Sequence, residues 1–252
     1  MIYFGKRSLF VRTFSYSLLV ITLITSQLLA QASKSRDSTT RRTLIITPRI
    51  NSAGHFPFSG ALLNKNTNVD LNIFYEHKHY GFFIFQSVDL EDKRSFVNYL
   101  QPGVFKKFKM SESIQVGLFA GYIFSQTNGF RDDDSDYFSA AVVYWTIQPN
   151  LKFESTSLFF DFNHSTKLAN RFLTTYTIRN FRFDFFVWHR AVFEQNTHAL
   201  STSLALYPPK TKIAGNLYIQ TSISYLGYLT DTKPAFARRD GFLLSVAFPL
   251  SL

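Results

Sequence analysis

Beyond its first thirty residues the chain alternates apolar and polar positions, and this period of two constrains its fold more than any motif. On Asn68 to Glu76 the odd positions are Val69, Leu71, Ile73 and Tyr75, against Asp70, Asn72, Phe74 and Glu76. From Ile213 to Leu229 the odd set is mostly apolar, while the even set includes Asn216, Gln220, Ser222 and Ser224. Alternate side chains of a strand point to opposite faces, so these segments read as strands with one apolar and one wetter face. The longest later apolar window, Val116 to Phe124, has nine residues and two glycines. A helix needs about 20 apolar residues to cross a bilayer. Composition agrees, since 29 Phe and 13 Tyr against 2 Met favour β-structure. The absence of Cys excludes disulfides, thiol nucleophiles, Fe–S clusters and Cys-zinc sites.

The amino terminus is expected to be a processing segment rather than part of the fold. Lys6, Arg7 and Arg12 precede a nearly continuous apolar run from Phe14 to Leu29, and Ala30-Gln31-Ala32 supplies a small-x-small cleavage pattern. We assign 1-32 to a signal peptide, 33-42 to a periplasmic segment and 43-252 to a single β-domain. Cleavage after Ala32 removes three basic and no acidic residues, so the formal charge of +10 falls to +7.

Segments with a period of two fall at 43-50, 68-77, 80-89, 96-108, 114-126, 137-147, 151-162, 171-179, 182-193, 198-207, 212-229 and 241-252, which makes twelve. Links near 78, 110, 149, 180 and 209 are short, whereas 51-67, 127-136 and 230-240 are long. Short turns at one end and longer loops at the other suit an up-and-down antiparallel barrel with both termini on the short-turn side. Pro48 and Pro102 lie inside proposed strands and are expected to mark bulges or displaced boundaries, because proline cannot donate to a ladder.

Face polarity separates a membrane barrel from a soluble one. Phe181, Phe183, Phe185 and Val187 share a face opposite Arg182, Asp184, Trp188 and Arg190, while Phe172, Thr174, Tyr176 and Ile178 oppose Arg171, Thr175 and Arg179. A turn at Asn180-Phe181 would set Thr177 against Asp184 and Arg171 against Arg190. Facing arginines in a small dry core would be very costly, so this face is expected to line a hydrated or carboxylate-paired lumen. The aromatic excess then belongs to the outer wall and to interfacial girdles, with candidates Tyr75, Tyr80, Tyr122, Phe124, Tyr137, Tyr144, Trp145 and Tyr225. In the competing soluble sandwich, the Phe rows would be core and the arginines solvated.

The final segment, Gly241 to Leu252, aligns Phe242, Leu244, Val246, Phe248, Leu250 and Leu252 on one face. Together with the leader and the strand pattern, this resembles the carboxy-terminal β-signal of bacterial outer-membrane β-barrel proteins, although here the chain closes on Leu252 rather than an aromatic. The resemblance implies a transmembrane barrel in the outer membrane of a Gram-negative bacterium; with the twelve segments and the short-turn placement of the termini, the expectation is a twelve-stranded barrel with both termini periplasmic. It also implies contact with outer-membrane lipid and assembly by the outer-membrane insertion machinery.

Lys78, Lys106, Lys107, Lys109, Lys152, Arg179, Arg182, Lys210 and Lys212 crowd the short-turn end against Glu76 and Glu112. A basic mouth with Arg171, Arg179, Arg182 and Arg190 on one wall, beside Asn72, favours anions and suggests a narrow passive channel. Alternatively, those arginines pair with Asp70, Asp161 and Asp184 and close the lumen, leaving a structural barrel that engages other envelope proteins. A barrel lipid hydrolase ranks third. Its Ser and His would have to share a strand face, yet His164 and Ser165 are adjacent, and His198 and Ser201 are three apart. His189 has wall parity, and His55 with Ser59 lies in an irregular loop. No catalytic role or cofactor is therefore assigned. His77 and His79 lack a third metal ligand, and Asp132, Asp134 and Asp136 are at most a weak Ca²⁺ candidate without EF-hand spacing. Nucleic acid is not expected as a ligand of an exported chain.

Overall fold

The computed structural model describes residues 42–53, 55–56, 61–62, 66–91, 99–125, 136–160, 167–193, 196–231 and 240–252. The expected leader and, apart from Arg42, the segment after it lie outside these residues, as do Asp132, Asp134, Asp161, His164 and Ser165. Asp136 is described only in its backbone.

Twelve strands form one antiparallel sheet. They are β1 (Arg42–Asn51), β2 (Asn68–His77), β3 (Tyr80–Asp89), β4 (Tyr99–Lys109), β5 (Ile114–Ser125) and β6 (Asp136–Gln148). The sheet continues through β7 (Leu151–Phe160), β8 (Lys167–Ile178), β9 (Phe181–Val192), β10 (Thr197–Tyr207), β11 (Leu217–Asp231) and β12 (Gly241–Ala247). Each strand pairs with its sequence neighbours, and β12 pairs with β1, so the sheet closes into a barrel. Short pieces at Leu250–Ser251 and Thr211–Ala214 extend its rim, the first bridging β1 and β11. Both termini of the described chain lie at the short-turn end, where Leu252 N–H donates to the Leu44 carbonyl at 2.8 Å.

The β8–β9 turn differs from the expected one. Arg179 and Asn180 are its two central residues, with φ of 47° and 71°. Positive φ at both positions is what a tight hairpin matching the strand twist requires, and Asn tolerates it well. The register consequently moves by two residues. Thr177 faces Arg182, Thr175 faces Asp184, Arg171 faces Trp188, and Arg190 faces Ala169. A shift of two preserves which face each side chain occupies, so the expected faces survive the wrong pairing.

Neither proline makes a bulge. Pro102 pairs with Ile84 on β3, while the ladder to β5 pauses at Gln101–Pro102 and resumes in the same register. Pro48 pairs with Leu71 and accepts a 2.9 Å bond from Phe248 N–H on the other side, in a gap between two stretches of the β1 closing ladder. The bulges instead fall where β10 meets β11 and where β6 meets β7.

Much of the aromatic excess faces inward, contrary to its expected place on the outer wall. Phe85, Phe105, Phe138 and Trp188 are buried, and Phe83 and Phe119 pack against the buried cluster that contains Phe85 and Phe138. Glycines on the inner face make room for them. Phe105 lies against Gly81, Phe83 against Gly103, and Phe138 against Gly121, each ring on its cross-strand partner. At Gly121 an added Cβ would sit 2.2 Å from the Pro102 carbonyl oxygen and 2.6 Å from the Phe138 ring. Gly121→Val must therefore displace backbone, at more than the roughly 1–3 kcal/mol of ordinary overpacking. Gly227→Ala meets only the Tyr225 ring at 3.4 Å. In detergent gels of folded, unheated samples, Gly121→Val should lose the compact band at far lower temperature than the parent, and Gly227→Ala should match the parent.

Candidate functional site

The inner surface is built from the strand positions that share parity with Asn51, Asp70, Phe85, Arg171 and Arg190. Where β12, β1 and β2 meet, a buried polar chain crosses three strands. Ser245 Oγ donates to Asn51 Oδ1 at 2.6 Å, and Asn51 Nδ2 donates to Asp70 Oδ2 at 2.5 Å. Arg49 stands opposite Asp70 on β1, and Asn72 lies below it opposite Thr47. Sequence reasoning missed Asn51 and Arg49 because the proline between Thr47 and Arg49 made this strand difficult to phase.

Three of the four expected arginines line the lumen. Arg171 makes an ion pair with Glu154 on β7, both side chains being largely covered. Arg182 Nε lies 3.4 Å from Asp184 Oδ2, and its guanidinium stacks 3.8 Å from the ring centroid of Tyr207, the residue facing it. Thr175 Oγ1 donates to Asp184 Oδ1 at 2.9 Å. Arg190 is 4% exposed, with its guanidinium 5.3 Å from the Tyr228 ring centroid. Arg179 departs from the expected row: it occupies the β8–β9 turn, is exposed, and lines no wall. At the short-turn mouth Lys107 Nζ bonds Glu76 Oε2 at 2.6 Å and lies over the rings of Phe74 and Phe105.

This face is less wet than expected. Phe85, Ile123, Phe138, Leu158 and Ala169 form one buried cluster, and Trp188, Leu226, Tyr228, Leu243 and Ala53 form another, with Phe186 stacked on Trp188 at 4.8 Å. Between the first cluster and the polar wall lies a cavity of about 380 Å³, lined by Phe74, Phe83, Phe119, Phe138, Tyr144, Arg49 and Arg171 among others. Tyr144 was expected in a girdle but points into this cavity. The other girdle candidates lie on the outer face. Tyr80 and Trp145 are 57% and 48% exposed near the short turns, and Tyr75 stacks on Phe82 there. Tyr137 is 65% exposed towards the long loops, where Tyr122 packs on Phe124 and Tyr137. Tyr225 packs on Phe242.

The outer wall also carries a polar row. Ser157 Oγ donates to Asn170 Oδ1 at 2.9 Å, Asn170 Nδ2 lies 3.3 Å from His189 Nδ1, and His189 Nε2 lies 3.3 Å from His198 Nδ1. A serine hydrolase needs the imidazole between nucleophile and orienting group. Here the amide separates Ser157 from His189, and the far ring nitrogen meets a second imidazole. The order of groups is wrong for proton abstraction from Ser157. Among the described residues no three His, Asp or Glu side chains gather in a group that could hold a metal ion.

No protein-family model matches the chain, and no curated protein does. Solved structures share its fold. KdgM porin superposes with a TM-score of 0.54 at 9% identity, over 82% of this chain and 99% of the porin. NanC porin gives 0.52 at 13% identity, over 83% and 98%. An outer membrane channel from Pseudomonas putida F1 gives 0.53 at 7% identity, over 86% and 97%. The chain thus has the fold of bacterial outer-membrane β-barrel porins and channels.

If Arg171 and Glu154 hold each other in place, their single and double replacements will not add. Denaturant unfolding of Arg171→Gln, Glu154→Gln and the double variant should show a coupling of about 1–3 kcal/mol. Additive losses would mean that the pair contributes nothing jointly.

Proposed function

We propose that the protein is an integral outer-membrane β-barrel acting as a narrow passive channel that prefers anions. The observation that carries this reading is a closed barrel whose inner face bears Arg171 on β8, Arg182 and Arg190 on the adjoining β9, and Arg49 on β1. Fixed guanidiniums in a confined passage raise the local concentration of anions and oppose cations. The likeness to porins supports the reading through the fold. One of those porins, KdgM, has also been seen in complex with disordered oligogalacturonate, a polyanion, and this agrees with an anion preference here without fixing the solute. The outward rows of Phe, Leu, Ile and Val, flanked by exposed Tyr and Trp, suit an apolar band between two interfaces. We place the short-turn end with both termini on the periplasmic side, outer-membrane lipid against the wall, and the insertion machinery as assembly partner.

A second reading, a closed barrel that binds other envelope proteins, is favoured by the ion pairs Arg171–Glu154, Lys107–Glu76 and Arg182–Asp184, which neutralise much of the inner charge. Planar-bilayer recording separates the two. Across a KCl gradient the purified protein should pass current with a reversal potential of anion sign, and Arg190→Ala should move that potential towards zero. A folded, inserted protein with no open-channel current at any salt concentration would overturn the channel in favour of the closed barrel.

A further inference from the structure

We infer that the inner cavity selects amphipathic carboxylates, anions with a small apolar ring or branched body, over both sugar acids and neutral hydrocarbons. The inference rests on the channel reading and names its preferred solute.

The cavity has two unlike sides. Phe83 on β3, Phe119 on β5 and Phe138 on β6 present their rings, Phe83 meeting Phe119 edge-on at 6.0 Å and lying tilted to Phe138 at 6.1 Å. Gly103 and Gly121 leave the notches in which Phe83 and Phe138 rest, so these rings cannot fold away without vacating fitted space. The facing side holds Arg49, Arg171 in its pair with Glu154, and the polar groups of Thr47, Asn72 and Thr156, which leaves Arg49 as the principal guanidinium for a bound anion. Asp70, directly across the ladder from Arg49, has Oδ2 engaged by the Asn51 amide. Its Oδ1 accepts no hydrogen bond among the described residues, so the Arg49 fork is not hydrogen-bonded to that oxygen.

Size and chemistry limit what fits. An apolar cavity of about 150 Å³ takes up benzene, so about 380 Å³ accommodates one ring with a carboxylated side arm. A guanidinium receives a carboxylate through two parallel hydrogen bonds. A sugar acid would satisfy the arginines but set its hydroxyls against phenyl rings, which offer them no partner. A neutral aromatic would fill the ring side and leave the guanidinium side unused. Only a ligand with both parts uses both walls.

The test compares phenylacetate, galacturonate and benzyl alcohol on the full-length protein, by block of chloride current in planar bilayers and by the temperature at which the compact gel band is lost. A ligand bound to the folded state raises that temperature. Phenylacetate should act at concentrations at least about tenfold below the other two, the effect of one added good contact of about 1.4 kcal/mol. Arg49→Gln should erase its advantage over benzyl alcohol, and Phe119→Leu its advantage over galacturonate. Should Phe119→Leu not fold, Ala140→Leu, which adds bulk to the cavity lining, should abolish the phenylacetate effect. Chloride current with equal responses to all three probes overturns this inference and leaves the channel standing. Absence of current overturns the channel itself, and the inference about its solute falls with it. A preference for galacturonate would assign the passage to sugar acids, and one for benzyl alcohol to hydrocarbons; either overturns the inference.

Discussion

Every backbone amide on a wall that faces hydrocarbon must find its partner on a neighbouring strand, and this requirement makes the first strand meet the last. The junction is where this protein has least to spare. Pro48 supplies no donor, and the final strand is interrupted at Phe248–Pro249. Closure there is carried by ladder pairs on either side of the gap, by Phe248 N–H on the Pro48 carbonyl, and by the Ser245–Asn51–Asp70 chain on the inner face. Buried side-chain bonds thus do part of what a continuous ladder does elsewhere, in a setting where an unmade hydrogen bond costs more than in water.

Closure also decides where the aromatic residues can go. A barrel of this size has an interior to fill, and half-filling it with rings leaves a passage only if the rings are held against the wall. Glycine opposite phenylalanine does this three times, twice between β3 and β4 and once between β5 and β6. The remaining inner positions carry the second apolar cluster around Trp188 together with ion pairs and hydroxyls, so charge is interleaved with packed rings around the lumen.

The strand count and the face of nearly every side chain were legible in the sequence, because a wall that is apolar outside imposes a strict period of two. Even the misjudged turn at Asn180 did no harm to the faces, since a register error of two residues leaves parity unchanged. Less legible was what the inner face contains. Phe74 in a row with Asp70 and Asn72 was a hint that rings point inward, but Gly81, Gly103 and Gly121 become sockets only once the register sets each beside its phenylalanine. Arg179 was misplaced for the same reason, because parity alone cannot say whether a residue ends a strand or begins a turn. The Ser157–Asn170–His189–His198 row was hidden because it runs across four strands, and alternation along one strand says nothing about neighbours across several.

The ring-in-socket side has a consequence for how such a protein can change over generations. Phe83, Phe105 and Phe138 are each tied to a glycine on another strand, so a larger residue at one of these glycines requires a coordinated change at its ring. Arg49 and Arg171 line the cavity without occupying a glycine notch. New cargoes are therefore more open to descendants of this barrel by single substitutions at those two positions than at the ring-and-glycine pairs of β3 to β6.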